Sequence, residues 1–169
     1  MTDTDAKISF FSARFGDLEI PLSKIIILPE GIIGFPDSTR FALLDPSDGS
    51  SVFLWLQAVD NPDLAFIITN PLLFVPDYIL DLSEPDIQRL DIAGKSPPAL
   101  FSIVTVPPHD PDNVSINLLA PLLYFESENT LYQIVLEIAD WPLKYKLLES
   151  EDSDSEGGSP ESGRVGGDG

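Results

Sequence analysis

The strongest constraint on this chain is the stretch from Trp55 to Pro71, where two apolar runs flank the acidic turn Asp60-Asn61-Pro62-Asp63. Both runs are short, and the Asn61-Pro62 and Asn70-Pro71 steps punctuate them, because a residue before proline is pushed out of the helical region. The pattern predicts a β-hairpin, Phe53 to Val59 against Ala65 to Thr69, with the remaining segments closing around it.

Those segments read mostly as short strands. Lys7 to Phe15 and Leu18 to Ile20 flank Gly16-Asp17 and predict a first hairpin, with Leu18 and Ile20 on one face. Ile25-Ile26-Ile27-Leu28 is continuous and β-branched, which suits a strand buried on both faces. Phe41 to Leu44 gives another strand, ended by the polar loop Asp45 to Ser51. Leu72 to Ile79 holds a proline and follows another, so it reads as an edge or an irregular crossing. One segment is helical: Ser83 with Asp86 fits a capping box, Pro85 is tolerated in the first turn, and Gly94 can terminate. Leu100 to Val106, Val114 to Ala120, Leu122 to Phe125 and Thr130 to Ile138 are further strands, the last two flanking Glu126-Ser127-Glu128-Asn129. Trp141 to Leu148 seals an open end of the core. Eight or nine strands with one helix predict an all-β fold, a small antiparallel β-barrel or closed sandwich.

Length and charge divide the chain. A domain at 1–148 precedes a Ser/Glu/Asp/Gly-rich tail at 149–169, which cannot bury enough apolar surface to offset its ordering entropy and is expected to be disordered. The tail has seven acids and one base, a net of −6, which leaves −13 of the chain's −19 on residues 1–148. An acidic body repels nucleic-acid phosphates and attracts basic proteins. Its eight bases are scattered, only Lys144 and Lys146 being close together, so no basic stripe interleaved with aromatics exists. There is no cysteine, no secretory leader pattern and no apolar run of membrane-spanning length; a soluble protein retained in the cytoplasm is expected.

Catalytic chemistry finds few candidates. His109, the one histidine, lies among Pro107, Pro108, Asp110 and Asp112, a spacing that matches no standard metal site. Asp17 and Glu19 share a face if their strand starts early, but like charges side by side are ordinary on an exposed strand. Gly31 and Gly34 are not followed by the Gly-Lys-Ser/Thr of a phosphate loop, and positive φ or close approach at a turn explains them better. No serine occupies a Gly-x-Ser-x-Gly elbow. No enzyme, catalytic residue, cofactor or metal is therefore expected, and the chain reads as a binding module.

Six segments, in order, carry a resemblance: Arg14 to Ile20, Leu28 to Pro36, Trp55 to Phe66, Pro76-Asp77-Tyr78, Val104 to Pro107 and Asn117 to Pro121. Together they resemble the bacterial flagellar assembly factor FliW family across about residues 8–145. The resemblance implies a small β-barrel, monomeric when free and without enzymatic activity. It implies alternate binding of the RNA-binding translational repressor CsrA and of flagellin, so that FliW relieves repression of flagellin translation and accumulating flagellin restores it. A flagellin-holding chaperone without the regulatory limb is the alternative. Three features depart from the family pattern: the acidic late turn at 126–129, where a basic one is usual, the Trp141 to Lys146 close, and the extra acidic tail. Asp60, Asn61 and Asp63 in the central turn, with Phe74, Asp77, Tyr78 and Asp81 after the proline-rich crossing, are the expected protein contacts, acids beside exposed aromatic surface. Trp55, Phe66 and Phe101 are assigned to the core.

Overall fold

The computed structural model describes residues 6–137 and 140–147. The expected acidic tail lies outside the described residues. Among the described residues there are eleven strands, one α-helix and three short 3-10 turns. In chain order the strands are β1 (Lys7–Ser12), β2 (Gly16–Pro21), β3 (Ile25–Ile27), β4 (Arg40–Leu44), β5 (Phe53–Ala58) and β6 (Ala65–Thr69). Helix α1 (Glu84–Arg89) comes next, then β7 (Ala99–Thr105), β8 (Ser115–Ile116), β9 (Leu122–Phe125), β10 (Thr130–Gln133) and β11 (Tyr145–Lys146).

The sheet closes. Strands β7, β6, β5, β4, β3, β10 and β9 pair in sequence and β9 returns to β7, making a seven-stranded barrel. Strands β8 and β11 extend from the upper part of β7. Every pairing in the ring is antiparallel except one: Ile27 on β3 meets Thr130 on β10 in parallel. That seam is reinforced by Asn129, whose side-chain amide donates to the Ile25 carbonyl at 2.5 Å.

Alternation along each strand sorts side chains into an inside and a covered outside. Ile26, Phe41, Leu56, Ala58, Ile68, Leu122 and Leu131 fill the barrel, all at most 3% exposed. Their neighbours Ile25, Ala42 and Val59 point outward, where Ile8, Phe10 and Ile20 of the β1–β2 hairpin cover them. On another side Val104, Ile116 and Leu118 are covered by the 74–82 segment, Trp141 and Leu147. Because both faces of these strands are buried, the strands read as continuous apolar runs instead of alternating ones.

Local signals behave as their chemistry requires. Ser83 caps α1, its hydroxyl accepting from the Asp86 N–H at 3.3 Å, and Pro85 sits in the first turn. The helix ends at Arg89, earlier than Gly94, because Asp91 adopts a left-handed conformation (φ 54°) and a 3-10 turn follows. In the first hairpin the turn is Ala13-Arg14-Phe15 instead of Gly16-Asp17. The Ser12 hydroxyl accepts from the N–H groups of Arg14 (3.1 Å) and Phe15 (3.0 Å), which draws the bend forward. Gly16, at φ 79°, becomes the first residue of β2. The run from Leu72 is an irregular crossing, opened by a 3-10 turn over Pro71–Leu73. Val114 to Ala120 shortens to the two residues of β8, and β10 ends at Gln133, past which single hydrogen bonds (Ile134 to Pro121, Leu136 to Leu119) carry the pairing on irregularly. Phe66 and Phe101 pack against the barrel core as assigned. Trp55 does not: it faces outward and is half-buried beneath Phe15 and Arg14.

Candidate functional site

The expected contact residues divide between the two ends of the β5–β6 hairpin. Asp60, Asn61 and Asp63 occupy the turn that leaves Ala58, whereas Phe74, Asp77, Tyr78 and Asp81 follow Thr69, which pairs with Phe53 at the opposite end. Strands of this length separate the two groups by roughly 17 Å. They are two surfaces.

The first surface is a braced turn. Gln57, fully buried on β5, points its side-chain amide nitrogen at the carbonyls of Ala58 (3.0 Å), Leu64 (3.2 Å), Asn61 (3.3 Å) and Pro62 (3.4 Å). Its side-chain oxygen accepts from the Ser12 hydroxyl at 2.8 Å, and the Ala13 N–H donates to the Pro62 carbonyl at 2.9 Å. The acidic turn is thereby fastened to the first hairpin. Asn61 accepts from the Asp63 N–H at 3.2 Å, an Asx turn. Asp60 is ion-paired with Arg40 (2.6 Å), both half in solvent, and the Arg14 guanidinium lies 4.4 Å from the Trp55 ring centre. A cleft of about 420 Å3 lined by Ala13, Arg14, Gln57, Pro62, Asp63 and Ala65 opens between the two turns. Two arginines therefore offset the acids here, and Asp63 faces solvent without an ion-pair partner among the described residues.

The second surface is unbalanced. The run from residue 41 to residue 88 has no Lys, Arg or His; six of its eight acids lie outside the central turn, and one of these six, Asp86, is ion-paired with Arg89. The β4–β5 loop brings Asp45 and Asp48 to the end of the hairpin where Pro71–Leu73 turns, and the Thr69 hydroxyl donates to the Val52 carbonyl at 2.8 Å to tie the two together. Val52, Leu72 and Leu73 stand exposed there and Ile79 further along the crossing, all between 41% and 63%. Asp77 and Asp81 are exposed in the same crossing. The Asp45 carboxyl is held below its ordinary value chiefly by the Ser47 hydroxyl. Asp45, Asp48 and the apolar side chains were not among the expected contacts, although the base-free run is visible in the sequence.

The aromatics of the expected site are structural. Tyr78, read as exposed, is 5% exposed; its hydroxyl donates to the Leu118 carbonyl at 2.6 Å and its ring meets Trp141 edge-on at 4.8 Å. Burial pushes its pKa well above the ordinary tyrosine value. Phe74 is half-buried and stacked on Phe53, centroids 6.2 Å apart. These two rings anchor the crossing and thereby fix Asp77 between them.

Other sequence candidates stay dispersed. His109 is exposed in the 106–114 loop, and among the described residues no three His, Asp or Glu side chains gather as a metal site would need. Gly31 (φ 68°) lies where an added Cβ would sit 2.4 Å from the Phe35 carbonyl, so the 28–36 loop uses glycine for close backbone approach. Among the described residues no helix is long and apolar enough to cross a membrane.

Comparison with known proteins adds a consistent signal. A family model described as FliW protein matches residues 9–147. The chain is 37% identical over 136 residues to the flagellar assembly factor FliW of Alkaliphilus metalliredigens, covering 80% of this chain and 83% of that protein. It is 34% identical over 145 residues to that of Caldicellulosiruptor bescii, covering 86% and 93%. A crystal structure of the flagellar assembly factor FliW is similar at a TM-score of 0.72 and 30% identity, covering 85% of this chain and 97% of that one.

Proposed function

The chain belongs to the FliW family of flagellar assembly factors, and on that premise we propose that it is a non-enzymatic, protein-binding regulator acting in the cytoplasm. Its partners on this reading are a CsrA-type RNA-binding repressor and flagellin, bound in alternation, so that capture of the repressor frees flagellin translation. The observation that carries the reading onto this chain is the base-free run of eight acids at 41–88. It holds the exposed acids Asp45, Asp48, Asp77 and Asp81 and the exposed apolar Val52, Leu72, Leu73 and Ile79, on the loop that enters β5 and the crossing that leaves β6. Charge around an apolar centre is the usual anatomy of a docking surface, and negative charge selects a basic partner. Held beside an RNA-binding protein, a body of −13 repels phosphates without covering the RNA site. Asp63 contributes to the same field from the far end, with Asp60 and Asn61 shaping its turn, while Phe74 and Tyr78 position the crossing.

The test is a competition pull-down. CsrA is expected to be retained by this protein, to lose its RNA on capture, and to be displaced by flagellin. Binding should fall between about 50 and 500 mM salt, because exposed charges are screened over a few ångströms at the higher concentration. Retention of flagellin with no retention of CsrA would replace the regulator by a flagellin-holding chaperone. Salt-independent capture of CsrA would remove the electrostatic mechanism.

A further inference from the structure

Among the described residues strands β1 and β2 pair only with each other, as a separate two-stranded sheet against the barrel. The Leu22 N–H donates to the Ala6 carbonyl at 2.9 Å, which sets the phase of the ladder. Ile8, Phe10 and Ser12 then exchange hydrogen bonds with Ile20, Leu18 and Gly16, and the N–H and C=O groups of Lys7, Ser9 and Phe11 point away from β2. Among the described residues none of these outward groups is hydrogen-bonded, and all three residues are exposed. The two edges differ in kind. Pro21, which has no N–H, and the carboxylates of Asp17 and Glu19 blunt the β2 edge. The β1 edge has only Lys7, at its outer end.

The face beside that open edge has its own chemistry. Register places Phe11 opposite Asp17 and Ser9 opposite Glu19. Phe11 is 53% exposed, and among the described residues it has no aromatic partner. Neither Asp17 nor Glu19 is ion-paired among them. Ser9 is small, so a shallow hollow of about 400 Å3 remains, lined by Ser9, Phe10, Phe11, Asp17, Leu18 and Glu19. A cationic side chain entering it meets two carboxylates and an aromatic face. Arginine suits it best, since guanidinium stacks on a ring while its donors reach carboxylates. The hairpin is held in place beforehand: Ile8, Phe10 and Ile20 pack on Ile25, Ala42 and Val59, and the Ser12–Gln57 bond locks its turn. A strand adding to it costs little beyond its own ordering.

We propose that β1 is a strand-addition site for an extended basic segment of a partner protein, with an arginine opposite Ser9 reaching into the hollow formed by Phe11, Asp17 and Glu19. The outward backbone groups select an extended chain, and the two carboxylates, unpaired among the described residues, favour a cation on it. A second copy of this chain fits poorly, because pairing β1 with β1 brings two bodies of −13 together. The site is distinct from the acid–apolar end and stands whether or not that end captures a CsrA-type protein.

The probe is a blocked seven-residue peptide of alternating threonine and valine with arginine at its centre, titrated into the full-length isotope-labelled chain. The backbone amides of Lys7, Ser9 and Phe11 are expected to shift together and to slow in hydrogen exchange. Phe11→Ala and the double variant Asp17→Asn/Glu19→Gln should each weaken binding about fivefold, the equivalent of about 1 kcal/mol. All three positions are on the surface, and an unchanged dispersion of the remaining amides verifies that the variants fold. Equal binding of a peptide with proline on either side of the arginine would reduce the effect to charge attraction and overturn the proposal. So would shifts confined to residues 70–81, or no shift with the peptide at about 1 mM.

Discussion

Replacing Gln57 by leucine removes the polar bolt between the first hairpin and the acidic turn while nearly conserving volume. The amide has two N–H hydrogens for four carbonyls at 3.0–3.4 Å, so it serves two well, and Ala58 and Leu64 are nearest. Its oxygen is the acceptor for Ser12, whose own oxygen already accepts from Arg14 and Phe15. Leucine thus deletes about three hydrogen bonds at about 1 kcal/mol each and leaves the fully buried Ser12 hydroxyl without an acceptor. Added apolar burial offsets part of this, and a net loss of about 2–3 kcal/mol is expected. Urea unfolding followed by tryptophan fluorescence measures it, with an unchanged denaturant slope as the sign that the unfolded state is untouched. A Ser12→Ala variant closes a double-mutant cycle, where the pair should couple by about 1 kcal/mol. Hydrogen exchange at Asp63 and Leu64 should quicken in step, because the turn opens when its brace is lost. A Gln57→Leu protein within about 0.5 kcal/mol of the parent would refute the assigned role, since this is the scale of ordinary surface substitutions.

Three further outcomes follow from the geometry. Tyr78 is held protonated by burial, so above the ordinary tyrosine pKa of about 10 the unfolded chain loses a proton that the folded chain keeps, and stability falls by up to about 1.4 kcal/mol per pH unit. Tyr78→Phe should flatten that alkaline slope in thermal unfolding while lowering stability at pH 7 by about 1 kcal/mol through the unpaired Leu118 carbonyl. Gly31→Ala should cost about 2–4 kcal/mol, combining a left-handed backbone with a clash on the Phe35 carbonyl, whereas Gly34→Ala, at φ 93° but with open space for its Cβ, should cost about 1–2 kcal/mol. Equal unfolding midpoints for the two would remove close approach as the reason for Gly31. If the proposed capture of CsrA holds, Asp77→Asn with Asp81→Asn should weaken it about fivefold to tenfold in calorimetry at low salt. Asp60→Asn with Asp63→Asn should weaken it less, because Arg40 already offsets Asp60; the reverse order would move the docking surface to the central turn.

What could be read from the residues followed the range of the interactions involved. The capped helix start at Ser83, the central hairpin and the break at Pro71 are local chemistry and were legible. The parallel contact between Ile27 and Thr130 joins segments 103 residues apart through one pair, and no nearby pattern encodes it. Trp55 was misplaced for a related reason. On β5 both faces are covered, so its apolar run carries no alternation, and only the arrival of Arg14 and Phe15 decides which side is outside. Tyr78 was misread because Asp77 and Asp81 suggest solvent, whereas its hydroxyl is satisfied by Leu118, forty residues on.

The division of the expected site, by contrast, needed no coordinates. If Phe53 to Val59 and Ala65 to Thr69 form a hairpin, strand direction alone puts Asp60 and Asp77 at opposite ends. The same reasoning brings the Asp45–Ser51 loop to the Asp77 end, since β4 and β5 are antiparallel neighbours and their connection must lie where β5 begins. Charge then separates the ends. The central turn has Arg40 on Asp60 and Arg14 on Trp55, so its field is partly cancelled within the fold. At the other end, four exposed acids and four exposed apolar side chains meet no basic residue from the whole of 41–88, and that end keeps both its field and its apolar area for a partner. The central turn, conspicuous in the sequence, is thus the better explained as a brace. On the proposed function, the quieter run after Pro71 supplies the surface that a basic protein would feel first and hold longest, because the charges steer encounter while the apolar centre slows release.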